Sequence, residues 1–193
     1  MIDEAHHNFH TAEGRYAPFA KLLRRDGYRV EAWRTPFGAL RGVDVLVISN
    51  ALHKRNEKDW SLPTPSAFTT EEIGVVRSWV ESGVTGSAFR PPPGAQPLLV
   101  FGSGLVSRMP QEAWKFTAQT PSADIEGWCQ GALLERGKGR VAVFGEAGMF
   151  TAQFQGRERR PMGMNVPEAS ENARFLLNVM SWLARADGGA TAP

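Results

Sequence analysis

The sequence predicts a single α/β domain with a mostly parallel sheet, helices on both faces and an antiparallel hairpin near the C-terminus. Strand-like and helix-like segments alternate along most of the chain. The run Val43-Asp44-Val45-Leu46-Val47-Ile48 is almost continuously apolar and β-branched, as in a parallel strand covered on both faces. Reactive side chains follow three predicted strands, where open α/β sheets collect their ligands.

Met1-Ile2 is a strand stub that gives way to Asp3-Glu4-Ala5-His6-His7-Asn8-Phe9-His10, a loop with three of the chain's four histidines. Tyr16, Phe19, Ala20 and Leu23 follow the i, i+3, i+4, i+7 spacing of a buried helix face. Asp26-Gly27 ends that helix, with Gly27 suited to a left-handed cap. Tyr28 to Trp33 reads as a short strand. The 43–48 strand ends in Ser49-Asn50, and a polar loop runs on through Trp60 and Pro65. Thr69 with Glu72 forms a capping box. Ile73, Val76, Trp79 and Val80 supply the buried face of the helix it starts, which closes at Gly83.

A parallel pattern calls for a strand after Gly83. Val84-Thr85-Gly86-Ser87 and Pro91-Pro92-Pro93-Gly94 stand there instead, and prolines do not continue a central strand. Gln96 to Phe101 resumes as a strand. Trp128 to Glu135 and Arg140 to Gly145 flank Gly137-Lys138-Gly139 as a hairpin. The last helix starts near Pro167 and buries Phe175, Leu176, Val179, Met180 and Leu183. The domain is expected over residues 1–186, with a frayed tail over 187–193.

Composition narrows the function classes. A formal charge of +2, with basic residues scattered among acids, gives no footprint for nucleic acid. One cysteine excludes an internal disulfide. No apolar run has the length of a transmembrane helix. As given, the chain shows no export signal and reads as cytoplasmic; it would be exported had an N-terminal signal been lost.

The candidate ligand-binding residues are Asp3, Glu4, His6, His7 and His10 after the first strand, Asn50 and His53 after the 43–48 strand, Glu146 after the Arg140 strand, and Arg160. Three readings of the histidine cluster stand side by side. His6 and His10, at i and i+4, suit two ligands of a divalent metal, although no glutamate is placed as in a zincin motif. A histidine beside a carboxylate suits acid/base work near neutral pH. Alternatively, Asp3 and Asn8 cap the loop and the histidines are hydrogen-bonded supports.

Other motifs are weaker. Gly127-Trp128-Cys129-Gln130-Gly131 matches a nucleophile elbow in spacing, but a hairpin follows rather than a helix. Gly102-Ser103-Gly104 suits a turn better than an anion cradle. Arg157, Arg159 and Arg160 suit a solvated loop better than a carboxylate or phosphate site. Ser49, His53 and Asp59 share one loop and lack an elbow.

Four segments together resemble a known family: Ile2-Asp3-Glu4-Ala5-His6 to Thr11 with Gly14-Arg15-Tyr16; Trp60-Ser61-Leu62-Pro63-Thr64-Pro65-Ser66-Ala67-Phe68-Thr69; Gly137 to Glu146; and Arg160-Pro161-Met162-Gly163-Met164-Asn165. They resemble a bacterial family of uncharacterised proteins with a class I glutamine-amidotransferase-like, flavodoxin-like fold. The resemblance implies that fold and no assigned reaction. Against the family pattern, the chain looks shortened before Asp3 and near Gly83, and it lacks an amidotransferase cysteine elbow. The expected function is binding of a small polar ligand, a sugar or a carboxylate, at the C-terminal edge of the sheet. A metal-assisted or histidine-based hydrolase and a non-catalytic interaction module are the alternatives. A shortened sheet also predicts self-association.

Overall fold

The computed structural model describes residues 1–38, 40–80, 88–112 and 115–184. Its first strand, β1 (Ile2–Asp3), is fully buried and pairs in parallel with β2 (Ala32–Trp33). Helix α1 (Ala17–Arg25) joins them, and the predicted face is the observed one: Tyr16, Phe19, Ala20 and Leu23 are all buried. Pro18 sits in the first turn, where a missing N–H leaves no bond unmade. Arg24 and Arg25 face the negative end of the helix dipole. Gly27 follows the cap at φ +93°, a conformation that side chains resist.

Helix α2 (Thr70–Val80) begins at a genuine capping box. The Glu72 N–H donates to Thr69 Oγ1 at 3.2 Å, and the Thr69 N–H donates to Glu72 Oε2 at 2.9 Å. Ile73 does not join a buried face; it is 48% exposed. The side chains of Val76, Trp79 and Val80, the junction at Gly83-Val84 and the 187–193 tail lie outside the described residues.

The expected mostly parallel, flavodoxin-like sheet with helices on both faces is overturned. The strands form four small sheets among the described residues, and only β1–β2 is parallel. The 43–48 run touches β1 through one parallel bridge, Val47 to Ile2. There the Asp3 N–H donates to the Val47 carbonyl and the Val47 N–H to the Met1 carbonyl. The run is half-buried or exposed along its length, so it lacks the cover on both faces that parallel strands need.

The remaining strands pair antiparallel. Strand β3 (Gln96–Val100) lies beside β6 (Cys129–Arg136), which forms the predicted hairpin with β7 (Gly139–Phe144) across Gly137 at φ +57°. Two ribbons were not foreseen: β4 (Val106–Arg108) with β5 (Ser122–Asp124), and β8 (Ala152–Gln155) with β9 (Arg160–Gly163). Pro167 opens a short 3-10 turn, and α3 (Asn172–Ala184) follows, burying Leu176, Val179 and Met180. Phe175 and Leu183 are only partly buried.

The main core brings Ile2, Tyr16, Phe19 and Leu23 against Phe150, Leu176 and Met180. Phe144 packs on it from β7, edge-on to Phe150 at 5.0 Å. A second, small core holds Phe89, Cys129 and Ala132. Among the described residues no helix is long and apolar enough to cross a membrane.

Candidate functional site

Two loops meet where β1 ends. The Phe9 N–H donates to the Asn50 carbonyl at 3.1 Å, and the Leu52 N–H to the His6 carbonyl at 2.8 Å. Both loops turn through left-handed residues, His7 at φ +47° and Asn50 at φ +46°. Asparagine tolerates that region; histidine holds it at some cost. The turn at His7 separates neighbours: His6 is buried, whereas His7 is exposed and pairs with Glu57 at 2.7 Å.

His6 bridges two buried carboxylates. Its Nδ1 lies 2.9 and 3.0 Å from the oxygens of Asp3, and its Nε2 lies 2.7 Å from Glu72 Oε1. Asp3 is fully buried, and His6 and Glu72 are each 6% exposed. Asp3 also accepts from the Ala5 N–H and the Asn8 amide; Glu72 also accepts from the N–H groups of Phe37 and Thr69. With a carboxylate facing each ring nitrogen, the geometry favours a ring that donates from both, the imidazolium form of His6. Burial works against that charge, but the hydrogen bonds to Glu72 and Asp3 outweigh it and raise the His6 pKa. Burial likewise disfavours charge on Glu72; its bonds from Thr69, His6 and Phe37 prevail and lower its pKa to about 2. The ring packs against both Phe37 and Phe68, at 4.7 and 4.5 Å between centroids. Asn8 extends the bridge by donating to both Asp3 and the Ser49 carbonyl.

His10 faces a different environment. It is 5% exposed, and its Nδ1 has no hydrogen-bond partner. Its ring lies 4.9 Å from that of Tyr16. Burial lowers its pKa, Arg15 lowers it further, and Glu146 and a bond to the Asn50 side chain oppose. Tyr16 is pushed up to about 12 by burial, with a bond to Ser49 opposing and the charge of Glu146 adding. The Tyr16 hydroxyl reaches the Ala147 carbonyl at 3.5 Å, and Ser49 Oγ donates to Asn50 Oδ1 at 3.3 Å. His10, Tyr16, Ser49 and Asn50 therefore cluster beside the ionic bridge, with the exposed Asn50 and Glu146 at the rim, Glu146 within electrostatic range of His10 and Tyr16.

The other candidates lie apart from it or are already occupied. Glu4 accepts from the Ala12 N–H and from Arg34. His53 caps a 3-10 turn by accepting the Arg55 N–H. Arg160 is exposed at the start of β9 and pairs with Glu158. His6 has no lone pair for a metal while both nitrogens donate, and no three His, Cys, Asp or Glu side chains converge to hold one among the described residues. Cys129 is fully buried, and burial raises its pKa. Ser49, His53 and Asp59 do not assemble: Ser49 bonds Asn50, while Asp59 binds Ser61. A depression of about 480 Å³ lies on the α1 side between Ala12, Glu13, Lys21 and Arg25, and contains none of the candidates.

In the sequence, Glu72 carries only the signal of a cap and Tyr16 only that of a core residue. The capping box marked Glu72's position, but its partner His6 is 66 residues away. Ser49 stands out in the sequence only through its spacing to His53 and Asp59. No family model matches this chain, and no curated protein or solved structure shows significant similarity to it.

Proposed function

We propose that the chain binds a small polar ligand, a sugar or a carboxylate, at the rim of His10, Asn50 and Glu146, without a cysteine nucleophile. The observation that carries this is the buried, unpartnered Nδ1 of His10. An unsatisfied buried polar atom costs about 1–3 kcal/mol, so this nitrogen calls for a partner from outside the chain. Asn50 and Glu146 add exposed donors and acceptors beside it. The ionic bridge frames this rim, because Asn8 ties Asp3 to the Ser49 carbonyl. The test is nuclear magnetic resonance of protein labelled with 15N-histidine, titrated with small sugars and carboxylates. The His10 ring signals should shift in wild type, and binding should be lost in His10→Ala. Unmoved His10 signals across the whole panel refute the reading.

A specific observation favours the interaction module as a second reading. Leu99, Val100, Leu105, Val106, Met109 and Phe116 are all 43% exposed or more, and they fall in one stretch of the chain.

A further inference from the structure

Resting on the rim described above, we infer that its ligand is a neutral sugar ring and that Trp60 is the platform on which that ring stacks. Tryptophan is among the most buried side chains on average, yet Trp60 is 44% exposed. It is not a stray surface residue. Its ring meets Phe9 edge-to-face at 6.4 Å, Phe9 meets His10 at 5.5 Å, and His10 meets Tyr16 at 4.9 Å. A continuous series of rings thus leads from Trp60 to the unpartnered nitrogen of His10.

The loop that carries Trp60 is held from both sides. Asn56 donates to the Asp59 carbonyl, and Arg55 donates to the carbonyls of Ser61 and Pro63. Ser61 bridges to Glu112, and the Leu62 N–H donates to the Gln111 carbonyl. A ring presented on a braced loop loses little freedom when something stacks on it. Phe9 cannot serve as well, because the Arg15 guanidinium already lies 3.6 Å from its centroid.

Charge separates a sugar from a carboxylate. Arg15 and Glu146 act on His10 with opposite sign. The His6 imidazolium sits between two carboxylates, which leaves the bridge with one negative charge in excess. An anionic ligand therefore finds no net positive charge to neutralise. A sugar needs none. Its C–H face suits an exposed indole, and its hydroxyls both donate and accept, as the exposed Asn50 amide and Glu146 carboxylate beside His10 require.

The experiment titrates wild type, Trp60→Ala and Trp60→Phe with glucose and maltose, and in separate arms with acetate and citrate. The readouts are the His10 ring signals and the Trp60 indole signal. Sugars should move both signals in wild type. Trp60→Ala should weaken sugar binding about tenfold, as loss of one stacking contact does, and Trp60→Phe should keep part of it. Carboxylates that move His10 where sugars do not would overturn the sugar assignment and leave the rim reading standing. Sugar binding unchanged in Trp60→Ala would overturn the platform. Silence in every arm removes both this inference and the reading beneath it.

Discussion

Around β1 and α1 the chain buries Ile2, Tyr16, Phe19 and Leu23 against α3 and spends two carboxylates and an imidazolium in the interior. Along β3 and β4 it does the reverse: backbone ladders pair the strands, while Leu99, Val100 and Val106 face solvent. The first region is specified by side chains that accept few replacements. The second is specified mainly by its turns and hydrogen-bond ladders. Buried ion pairs are costly to desolvate, so a region that keeps one depends on every partner staying in place.

The sharpest way to break the contrast is at His6. His6→Ala leaves Asp3 and Glu72 buried without their cation, and a loss of about 3–5 kcal/mol is expected in urea unfolding. The pH profile of wild type sharpens this. The His6 pKa is raised above its ordinary 6.5, so its contribution is complete below that value and fades as pH rises through the raised one. Glu72 is lowered from 4.5 to about 2, so its contribution is complete above 4.5 and fades as pH falls towards 2. The stability difference between wild type and His6→Ala should therefore peak between pH 4.5 and 6.5 and shrink on both sides. A difference independent of pH would show that the bridge is inert.

The next effect is packing. Leu23 is 2% exposed in the main core, and Leu23→Ala should cost about 2–5 kcal/mol by the same unfolding measurement. Smallest is the matching change in the other region. Val106 is 57% exposed, and Val106→Thr should alter stability by no more than about 0.5 kcal/mol. A loss of Leu23→Ala size at Val106 would erase the distinction between the regions.

The same contrast explains what could be read from the chain. Helix α1 was legible because its face repeats locally at Tyr16, Phe19, Ala20 and Leu23, and the β6–β7 hairpin because Gly137 marks its turn. The sheet was not, because β-branched composition marks a strand without naming its partner, and partners decide parallel from antiparallel. Val43 to Ile48 has the composition of a central strand, yet it joins β1 through a single bridge, Val47 to Ile2. The histidine cluster drew attention to Asp3, His6 and His10 by density alone. Nothing local distinguishes His6, bonded at both ring nitrogens, from His10, whose Nδ1 has no partner; their neighbours Glu72 and Asn50 arrive from distant segments. Glu146 stands in the sequence at the end of an expected parallel strand. It comes within electrostatic range of His10 for another reason: β7 is antiparallel to β6, and Phe144 and Phe150 pack beside α1.

The main core also sets an order in time. Ile2, Phe19 and Leu23 can meet Phe150, Leu176 and Met180 only once the long stretch of chain between them has been made. Until then α1 exists with its apolar stripe uncovered, and closing so long a loop delays the contacts that reward it. The segment that carries His10 and α1 therefore stays adhesive until α3 docks on it.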